Sequence, residues 1–210
     1  AELTKVTLML AKKLALDEAR EMFGATQGEL ALQEEALPLD NLDDNVKPGD
    51  ALLVKWPAVD AIIGNPPYQS KNKRQGEMEV GYEHQLRTLY PDVDGRADYC
   101  TYWFRKTHDL LKPGDRAGLV GTNTIRQNYS REASLDYIVN NGGAITEAVS
   151  TLVWPGDAVV HVSIVNWIKG EATGPKQLFF QEGNKAGVGE YKAIVDFIGP
   201  SLSLGEDVST

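Results

Sequence analysis

The sequence predicts an α/β protein built on an open, mostly parallel sheet with helices on both faces, and two observations support that fold class. The predicted elements follow the order helix, strand, strand, helix, strand, helix, strand, strand, which is typical of such sheets. The short strand candidates are uninterrupted apolar runs, as expected for strands that helices bury on both faces. Because ligands of such sheets bind beyond the carboxyl ends of the strands, functional residues are expected directly after them.

The first third of the chain predicts one helix and two strands. Apolar residues recur at helical spacing between positions 2 and 23. Residues 25–49 are acidic and interrupted by prolines, which indicates a loop. The compact apolar runs 51–54 and 59–63 are each bounded by turn residues and are predicted to be strands.

The remainder begins with the polar segment 69–95, which predicts a long loop, and loops of that length in compact domains are usually functional or mobile. Helices and strands alternate after it. The predicted helices are 98–111 and 132–140, and the predicted strands are 117–121, 144–150, 158–167 and a final run around 191–198.

The charge balance bears on possible partners. The chain has 210 residues, with 30 acidic and 21 basic side chains and a formal net charge of -9. Because phosphate neutralisation supplies most non-specific affinity for nucleic acid, this balance argues against a sequence-blind binder but leaves room for a local basic cleft. The hydrophobic content of 42% is that of a globular protein.

Residue counts exclude further classes of site. Cys100 is the single cysteine, so no disulfide within the chain is possible, and no Cys/His cluster indicates a metal. The longest nearly apolar stretch, 158–168, is too short to cross a bilayer, and no signal peptide opens the chain. We therefore expect neither a membrane partner nor a metal site. His161, between apolar neighbours, is expected to be a buried structural histidine.

A segment with unusual chemistry follows the second predicted strand, where Asn65 precedes Pro66, Pro67 and Tyr68. Consecutive prolines have fixed φ and no N–H, so this backbone is rigid and offers only carbonyl acceptors. Asn65 adds a side-chain acceptor and Tyr68 an aromatic face, and together they complement a planar amino group on a heteroaromatic ring. A Pro-Pro pair more commonly forms a rigid turn, but its position directly after a buried strand favours a binding role.

Residues 60–68 resemble the catalytic motif of amino-group methyltransferases that use S-adenosylmethionine (SAM), in the Asn-Pro-Pro-Tyr form shared by DNA adenine-N6, protein glutamine-N5 and some RNA guanine-N2 enzymes. Further segments narrow the similarity to gamma-class DNA adenine methyltransferases, above all those fused into large restriction–modification enzymes. These segments are 2–16, 49–52, 99–124 and 154–165. The resemblance implies part of a Rossmann-like class I methyltransferase fold, with an antiparallel strand near the C-terminal end of the mostly parallel sheet.

The resemblance assigns catalytic roles to Asn65, Pro66, Pro67 and Tyr68. The Asn65 side chain and the Pro66 carbonyl would accept hydrogen bonds from the N6 amino group of adenine, which stabilises the positive charge that develops during methyl transfer. Tyr68 would stack on the adenine once it has been rotated out of double-stranded DNA.

Three further positions receive roles from the same resemblance. Asp50 and Ala51 would contact SAM, with Asp50 accepting from its adenine amino group; otherwise Asp50 is a turn residue after Gly49. Trp154 would contact the flipped base; otherwise it is a core or interface tryptophan.

The resemblance also predicts a domain organisation. Residues 1–168 would form the catalytic part of the methyltransferase domain, and 169–210 an extension toward a target-recognition region. The Gly-rich SAM motif is expected upstream of Ala1, so we expect a fragment of a larger polypeptide that is inactive in isolation. Its expected setting is a restriction–modification or phage-defence system in the bacterial or archaeal cytoplasm.

Two alternatives stay open. A protein glutamine-N5 or RNA amino methyltransferase shares the Asn-Pro-Pro-Tyr motif, although the insertion at 69–95 and the block around Trp154 argue against it. A non-catalytic methyltransferase-fold module that binds DNA is the second, because no Gly-rich turn follows a strand near the start of the chain. Within the insertion, Lys71, Lys73 and Arg74 either contact DNA phosphates or belong to a solvated loop.

Overall fold

The computed structural model describes residues 7, 11, 13, 14, 46–69, 80–154, 160–181 and 190–204. The chain divides into two compact units, residues 1–55 and 56–210. In the first unit, residues 7, 11, 13 and 14 are helical, in agreement with the helix predicted over 2–23. The rest of that prediction, and most of the predicted loop over 25–49, lie outside the described residues.

The predicted strand at 51–54 is wrong, because these residues form a turn. The carbonyl oxygen of Asp50 accepts hydrogen bonds from the amides of Leu53 and Val54, at 3.1 and 3.0 Å. The Asp50 carboxylate also accepts from the amide of Leu52 at 2.8 Å. Since an aspartate at the start of a turn satisfies nearby amides locally, these backbone groups have no need of a neighbouring strand.

The second unit contains the sheet. Its strands are β1 (Ala61–Gly64), β2 (Arg116–Thr122), β3 (Gly143–Val153), β4 (His161–Lys169), β5 (Lys176–Gln181) and β6 (Glu190–Val195). Its helices are α1 (Val80–Leu89), α2 (Thr101–Leu110), α3 (Asn128–Arg131) and α4 (Tyr137–Asn140). A 3₁₀ turn, Asn123–Arg126, follows β2, and one π-helical turn, Glu132–Asp136, joins α3 to α4.

The strand order is β1-β2-β4-β3-β5-β6. β1 pairs parallel with β2 and β3 parallel with β5, whereas β4 is antiparallel to both β2 and β3, and β6 is antiparallel to β5. Four strands therefore run in one direction, and only β4 and β6 oppose them among the described strands. This mixed sheet confirms the predicted α/β class with an antiparallel strand toward the C-terminal end.

Helix α1, strand β5, and the segment 123–131 with its 3₁₀ turn and α3 were not predicted. Helix α1 lies inside the segment 69–95, which was predicted to be a loop. Among its described side chains only Leu86 is almost fully buried, so the sequence shows little of the apolar periodicity that predicts a helix. Strand β5 lies in the glycine-containing tail, where its mixed polar and apolar residues give no clear period. The predicted domain boundary at residue 168 stays a prediction, although β5 and β6 extend the same sheet.

Helix α2 covers the centre of the sheet. Its buried positions include Thr101, Phe104, Thr107 and His108, which recur at the spacing of one helical face. The Phe104 ring stacks on Trp167 of β4 with ring centroids 5.7 Å apart. The predicted helices and the predicted strands other than 51–54 are therefore confirmed where the structure describes them. No helix in the described ranges has the length and apolarity that a membrane span requires.

His108 is a fully buried ionisable residue in this core. Its Nε2 atom lies 2.9 Å from Lys169 Nζ and 3.2 Å from the carbonyl oxygen of Asn141. Burial holds the pKa of His108 below its ordinary value; the Asn141 carbonyl opposes that effect, and the Lys169 ammonium adds to it. The ring is therefore neutral in the folded protein near neutral pH.

We expect the protein to lose stability as the pH falls below about 6.5, the ordinary pKa of histidine. Since folding disfavours the charged ring, the unfolded chain takes up the proton first. The free energy of unfolding then falls with a slope of at most about 1.4 kcal/mol per pH unit from this group, until the folded pKa is reached. Urea unfolding at a series of pH values from about 5 to 8 measures that slope.

The matched variants are His108→Gln and His84→Gln. The first removes the buried ring and reduces the slope, whatever its effect on baseline stability. The second changes an exposed histidine of α1 and keeps the parent slope. An unchanged slope in His108→Gln contradicts this account.

Candidate active site

The four co-directional strands end at one edge of the sheet, which we call the carboxyl edge. At this edge β1 is followed by Asn65 and β2 by Asn123. β3 is followed by Trp154, and β4 begins there with His161. The parallel pairing of β1 with β2 thus brings together chain segments that are far apart in the sequence.

The tetrad Asn65-Pro66-Pro67-Tyr68, hereafter the NPPY tetrad, leaves β1 in extended, irregular backbone. Asn65 and Pro67 are exposed, Pro66 is buried and Tyr68 is half-buried. The Tyr68 hydroxyl donates a hydrogen bond to Asn65 Oδ1. Because an amide oxygen has two lone pairs, Asn65 can accept one further hydrogen bond. The Pro66 carbonyl accepts none from the described part of the chain, so the tetrad presents two open acceptor positions.

The Tyr68 ring packs against the main hydrophobic core. Burial, with smaller contributions from Cys100 and Asp98, raises the pKa of Tyr68 to about 12. The hydroxyl is therefore protonated at every physiological pH and remains a hydrogen-bond donor. This donor fixes the side chain of Asn65 with its oxygen toward Tyr68.

Asp98 joins three elements at the carboxyl edge. Its carboxylate accepts from the Thr122 hydroxyl, at the end of β2, at 3.1 Å. Its amide donates to the Ser130 hydroxyl of α3 at 2.9 Å, and its carbonyl accepts from the Thr101 hydroxyl of α2 at 2.6 Å. The residue was not predicted as part of the site. Its only local signal is an acidic residue just before a predicted helix.

The segment after the NPPY tetrad is attached directly beside Asp98. The amide of Tyr99 donates to the carbonyl oxygen of Gln69 at 3.2 Å. The hydroxyl of Tyr99 also lies 2.6 Å from that of Tyr82 on α1. Asp98 and Tyr99 together therefore hold the segment that follows β1 against the end of β2.

Trp154 lies at the same edge but not beside the tetrad. It is half-buried, and its amide donates to the carbonyl oxygen of Val160 at 2.8 Å. Two strands, β2 and β4, separate β3 from β1, which corresponds to about 14 Å at the usual strand spacing. A base-contacting role for Trp154 stays a prediction. His161, half-buried at the start of β4, occupies the same edge.

The predicted cofactor residues, Asp50 and Ala51, belong to the first unit. One oxygen of Asp50, Oδ1, accepts from the turn amides of Leu52 and Leu53. The other oxygen accepts no hydrogen bond from the described part of the chain, so both of the roles weighed for Asp50 are chemically available to it. Lys71, Lys73 and Arg74 lie outside the described residues. Within the described ranges, no group of His, Cys, Asp and Glu side chains could hold a metal ion.

Comparison with known proteins identifies a family. The family model described as MmeI, DNA-methyltransferase domain, matches residues 1–180. The chain is 25% identical over 122 residues to the Type II methyltransferase M.XhoI of Xanthomonas vasicola, which corresponds to 53% of this chain and 22% of that protein.

The fold is similar to that of the Type IIL restriction-modification enzyme MmeI, solved in complex with DNA, with a TM-score of 0.60 and 22% identity. The match covers 70% of this chain and 20% of that one. The chain thus spans about a fifth of the length of both relatives. The likeness in structure confirms the predicted class of fold.

Replacing Asp98 by alanine should loosen the segment after β1. Thr122 and the amide of Cys100 would lose their acceptor, and we expect the free energy of unfolding to fall by about 1–3 kcal/mol. The amide of Tyr99 should also exchange faster with deuterium, which hydrogen exchange with mass spectrometry measures. The control is Asp94→Ala, whose ion pair with Arg96 is at the surface and is expected to contribute little to stability. Equal exchange of Tyr99 in the two variants contradicts the role given to Asp98.

Proposed function

This chain belongs to the MmeI DNA-methyltransferase domain family, and from that premise we propose that it carries the target-base pocket of an enzyme that methylates DNA adenine at N6, with SAM as methyl donor. The observation that carries the proposal is the NPPY tetrad, which presents two open acceptors beside an aromatic ring at the carboxyl edge. An exocyclic amino group has two N–H donors next to a planar ring, so it matches this arrangement atom for atom.

The chemistry of the tetrad follows from its acceptors. The lone pair of the N6 amino group is conjugated with the adenine ring, so the nitrogen is a weak nucleophile. Hydrogen bonds to Asn65 Oδ1 and to the Pro66 carbonyl draw the nitrogen toward tetrahedral geometry and stabilise the positive charge that develops on it. When bound, SAM supplies a methyl group on a positively charged sulfur. By accepting from both N–H groups, Asn65 and Pro66 would fix the orientation of the amino nitrogen, and orientation of this kind contributes much of the rate.

The aromatic part of the pocket comes from Tyr68. An adenine inside the double helix is out of reach, so the base must be rotated out and its stacking replaced. The ring of Tyr68 packs on the core on one side, which keeps it rigid, and it is partly exposed to receive the base. Trp154, at the end of β3, is a candidate for a second contact to the extruded nucleotide or its neighbour.

Asp50 is the residue from which the fit between this chain and SAM can be judged. Its second carboxylate oxygen is exposed and accepts no hydrogen bond from the described residues, while the first holds the turn in place. A fixed, exposed acceptor of this kind suits the adenine amino group of SAM, and Ala51 follows it in the same turn. The residues present therefore fit the cofactor, and Asp50 and Ala51 are the positions we assign to it.

The proposed setting is a restriction–modification system in the bacterial or archaeal cytoplasm, in which this chain acts with the remaining domains of a larger polypeptide on double-stranded DNA. Its support is the family membership and the share of the relatives that the chain spans. In such a system the DNA reader and the rest of the SAM site would lie in those other domains.

Asn65→Ala should abolish adenine methylation. We expect a loss of at least about 100-fold in kcat, because one acceptor aimed at developing charge contributes that much. The entire product of the gene that encodes this chain is incubated with labelled SAM and unmethylated DNA, and the nucleosides are analysed by mass spectrometry for N6-methyladenine. Label in glutamine or RNA in place of DNA would favour the alternative methyltransferases, and SAM binding without any product would favour a non-catalytic module.

Two substitutions of Tyr68 separate its ring from its hydroxyl. Tyr68→Phe keeps the stacking face and removes the hydrogen bond to Asn65, so we expect a loss in kcat of about tenfold, equivalent to one hydrogen bond. Tyr68→Ala also removes stacking, which contributes about 1–3 kcal/mol per base, and should lose about ten- to 100-fold more. Fluorescence of 2-aminopurine at the target position reports extrusion of the base directly. Equal losses in both variants contradict a stacking role.

A further inference from the structure

A second concave site lies at the carboxyl edge near the ends of β3 and β5, whereas the NPPY tetrad follows β1 at the other side of the sheet. It is a cavity of about 550 Å³ between the 3₁₀ turn after β2, the ends of β3 and β5 and the residues after Ile198. Arg126 and Thr151 contribute polar lining, and Phe180, Tyr191 and Leu202 contribute apolar lining. None of the described residues that line the cavity is acidic, in a chain whose formal charge is -9.

Arg126 is the charged group of this cavity. Its buried Nε atom has no hydrogen-bond partner in the described part of the chain. Its guanidinium makes no ion pair with any described carboxylate. A partly buried arginine usually obtains such a partner because its desolvated N–H groups otherwise carry a cost. The Arg126 guanidinium is therefore available to donate hydrogen bonds to an anion that does not belong to the described part of the chain.

The backbone that carries Arg126 is rigid. The Thr122 and Thr124 hydroxyls lie 2.7 Å apart, and the amide of Gln127 donates to the carbonyl of Thr124 at 2.9 Å. Asn128 then has φ of 45°, in the left-handed region that few residues other than glycine adopt. The fixed backbone sets the position from which the side chain starts, and the planar guanidinium suits a two-point contact with a phosphate.

The position of the cavity relative to the NPPY tetrad indicates which kind of anion it binds. From β1 to β5 there are four strand spacings, or about 19 Å, and both sites open at the carboxyl edge. Since successive base pairs rise about 3.4 Å, that distance corresponds to about five or six base pairs of duplex. DNA lying along this edge with its target base at the NPPY tetrad would therefore carry backbone phosphates over the cavity, which extends from Arg126 after β2 to the end of β5.

We propose that the cavity beside Arg126 binds a backbone phosphate of the DNA substrate, with the guanidinium donating to the phosphate oxygens and the apolar wall of Phe180 and Leu202 against the sugar. The inference rests on the proposed function, because it takes DNA as the substrate. Contacts of this kind set the position of the duplex and carry no sequence information.

The test measures the affinity of the whole protein for a fluorescent mixed-sequence duplex at several salt concentrations. Arg126→Met should raise Kd about tenfold and reduce the slope of log Kd against log salt by about one, the value expected for one lost phosphate contact. Arg126→Lys should keep the slope, because it keeps the charge. The matched control is Arg116→Met, an exposed arginine at the opposite end of β2, which should change neither quantity.

The possible results distinguish a failure of the phosphate site from a failure of the proposed function. Unchanged affinity and slope in Arg126→Met, with methylation intact, overturns the phosphate site alone. If Arg126→Met keeps its affinity for DNA but loses protection by inorganic phosphate in thermal unfolding, the site serves a free anion and the DNA contact is wrong. Wild-type protein that binds DNA with the expected slope yet forms no N6-methyladenine overturns the proposed function and leaves the phosphate contact standing. If Arg126→Met does not fold, Arg126→Gln removes the same charge and should reduce the slope by the same amount, with Arg126→Lys as its charge-keeping control.

Discussion

The candidate site depends on the parallel pairing of β1 with β2. β1 has four residues, three of them exposed, and β2 is its one partner among the described strands. Four residues of parallel ladder are a weak restraint by themselves. The carboxylate of Asp98 strengthens it from the other side, because it receives the Thr122 hydroxyl at the end of β2 while Tyr99, the next residue, holds Gln69. The chain on both sides of the NPPY tetrad is thus attached to β2, by a ladder before it and by hydrogen bonds after it.

The same attachment controls the chemistry of the tetrad. An acceptor for an amino group needs an unoccupied lone pair and a fixed direction. In this protein the Tyr68 hydroxyl occupies one lone pair of Asn65 Oδ1, and the elevated pKa of Tyr68 ensures that the proton is always present to donate. The ring of Pro66 fixes its φ and the following Pro67 restricts its ψ, so the direction of the Pro66 carbonyl is limited by the chain alone. Rigidity is therefore obtained without consuming both acceptor positions.

The sequence allowed the sheet and the tetrad to be predicted, and the reasons are local. β2, β3 and β4 each contain a group of apolar residues whose buried positions recur along the strand, and the NPPY tetrad combines an amide, two prolines and an aromatic ring directly after a strand. The turn at 51–54 was mistaken for a strand because its apolar residues conceal the competition from Asp50, whose carboxylate satisfies the turn amides. Asp98 was missed for a different reason. Its partners Thr122 and Ser130 are 24 and 32 positions away, and no pattern within a single sequence specifies such pairs.

Two different properties matter at the carboxyl edge, the positive charge of Arg126 and the fixed acceptor directions of the NPPY tetrad. With a net charge of -9 the chain repels a polyanion as a whole, so any attraction to phosphate must come from cations placed where no carboxylate competes. Four of the six described arginines fail that condition, since Arg87, Arg96, Arg105 and Arg131 are each paired with an acidic side chain. Arg126 meets it, on a rigid corner one turn beyond β2. The NPPY tetrad, by contrast, is neutral and works through acceptors whose directions are fixed. In the proposed function such a surface would hold a duplex by few charges, and the position of the target base would depend more on the backbone at the ends of β1 and β2 than on electrostatic attraction.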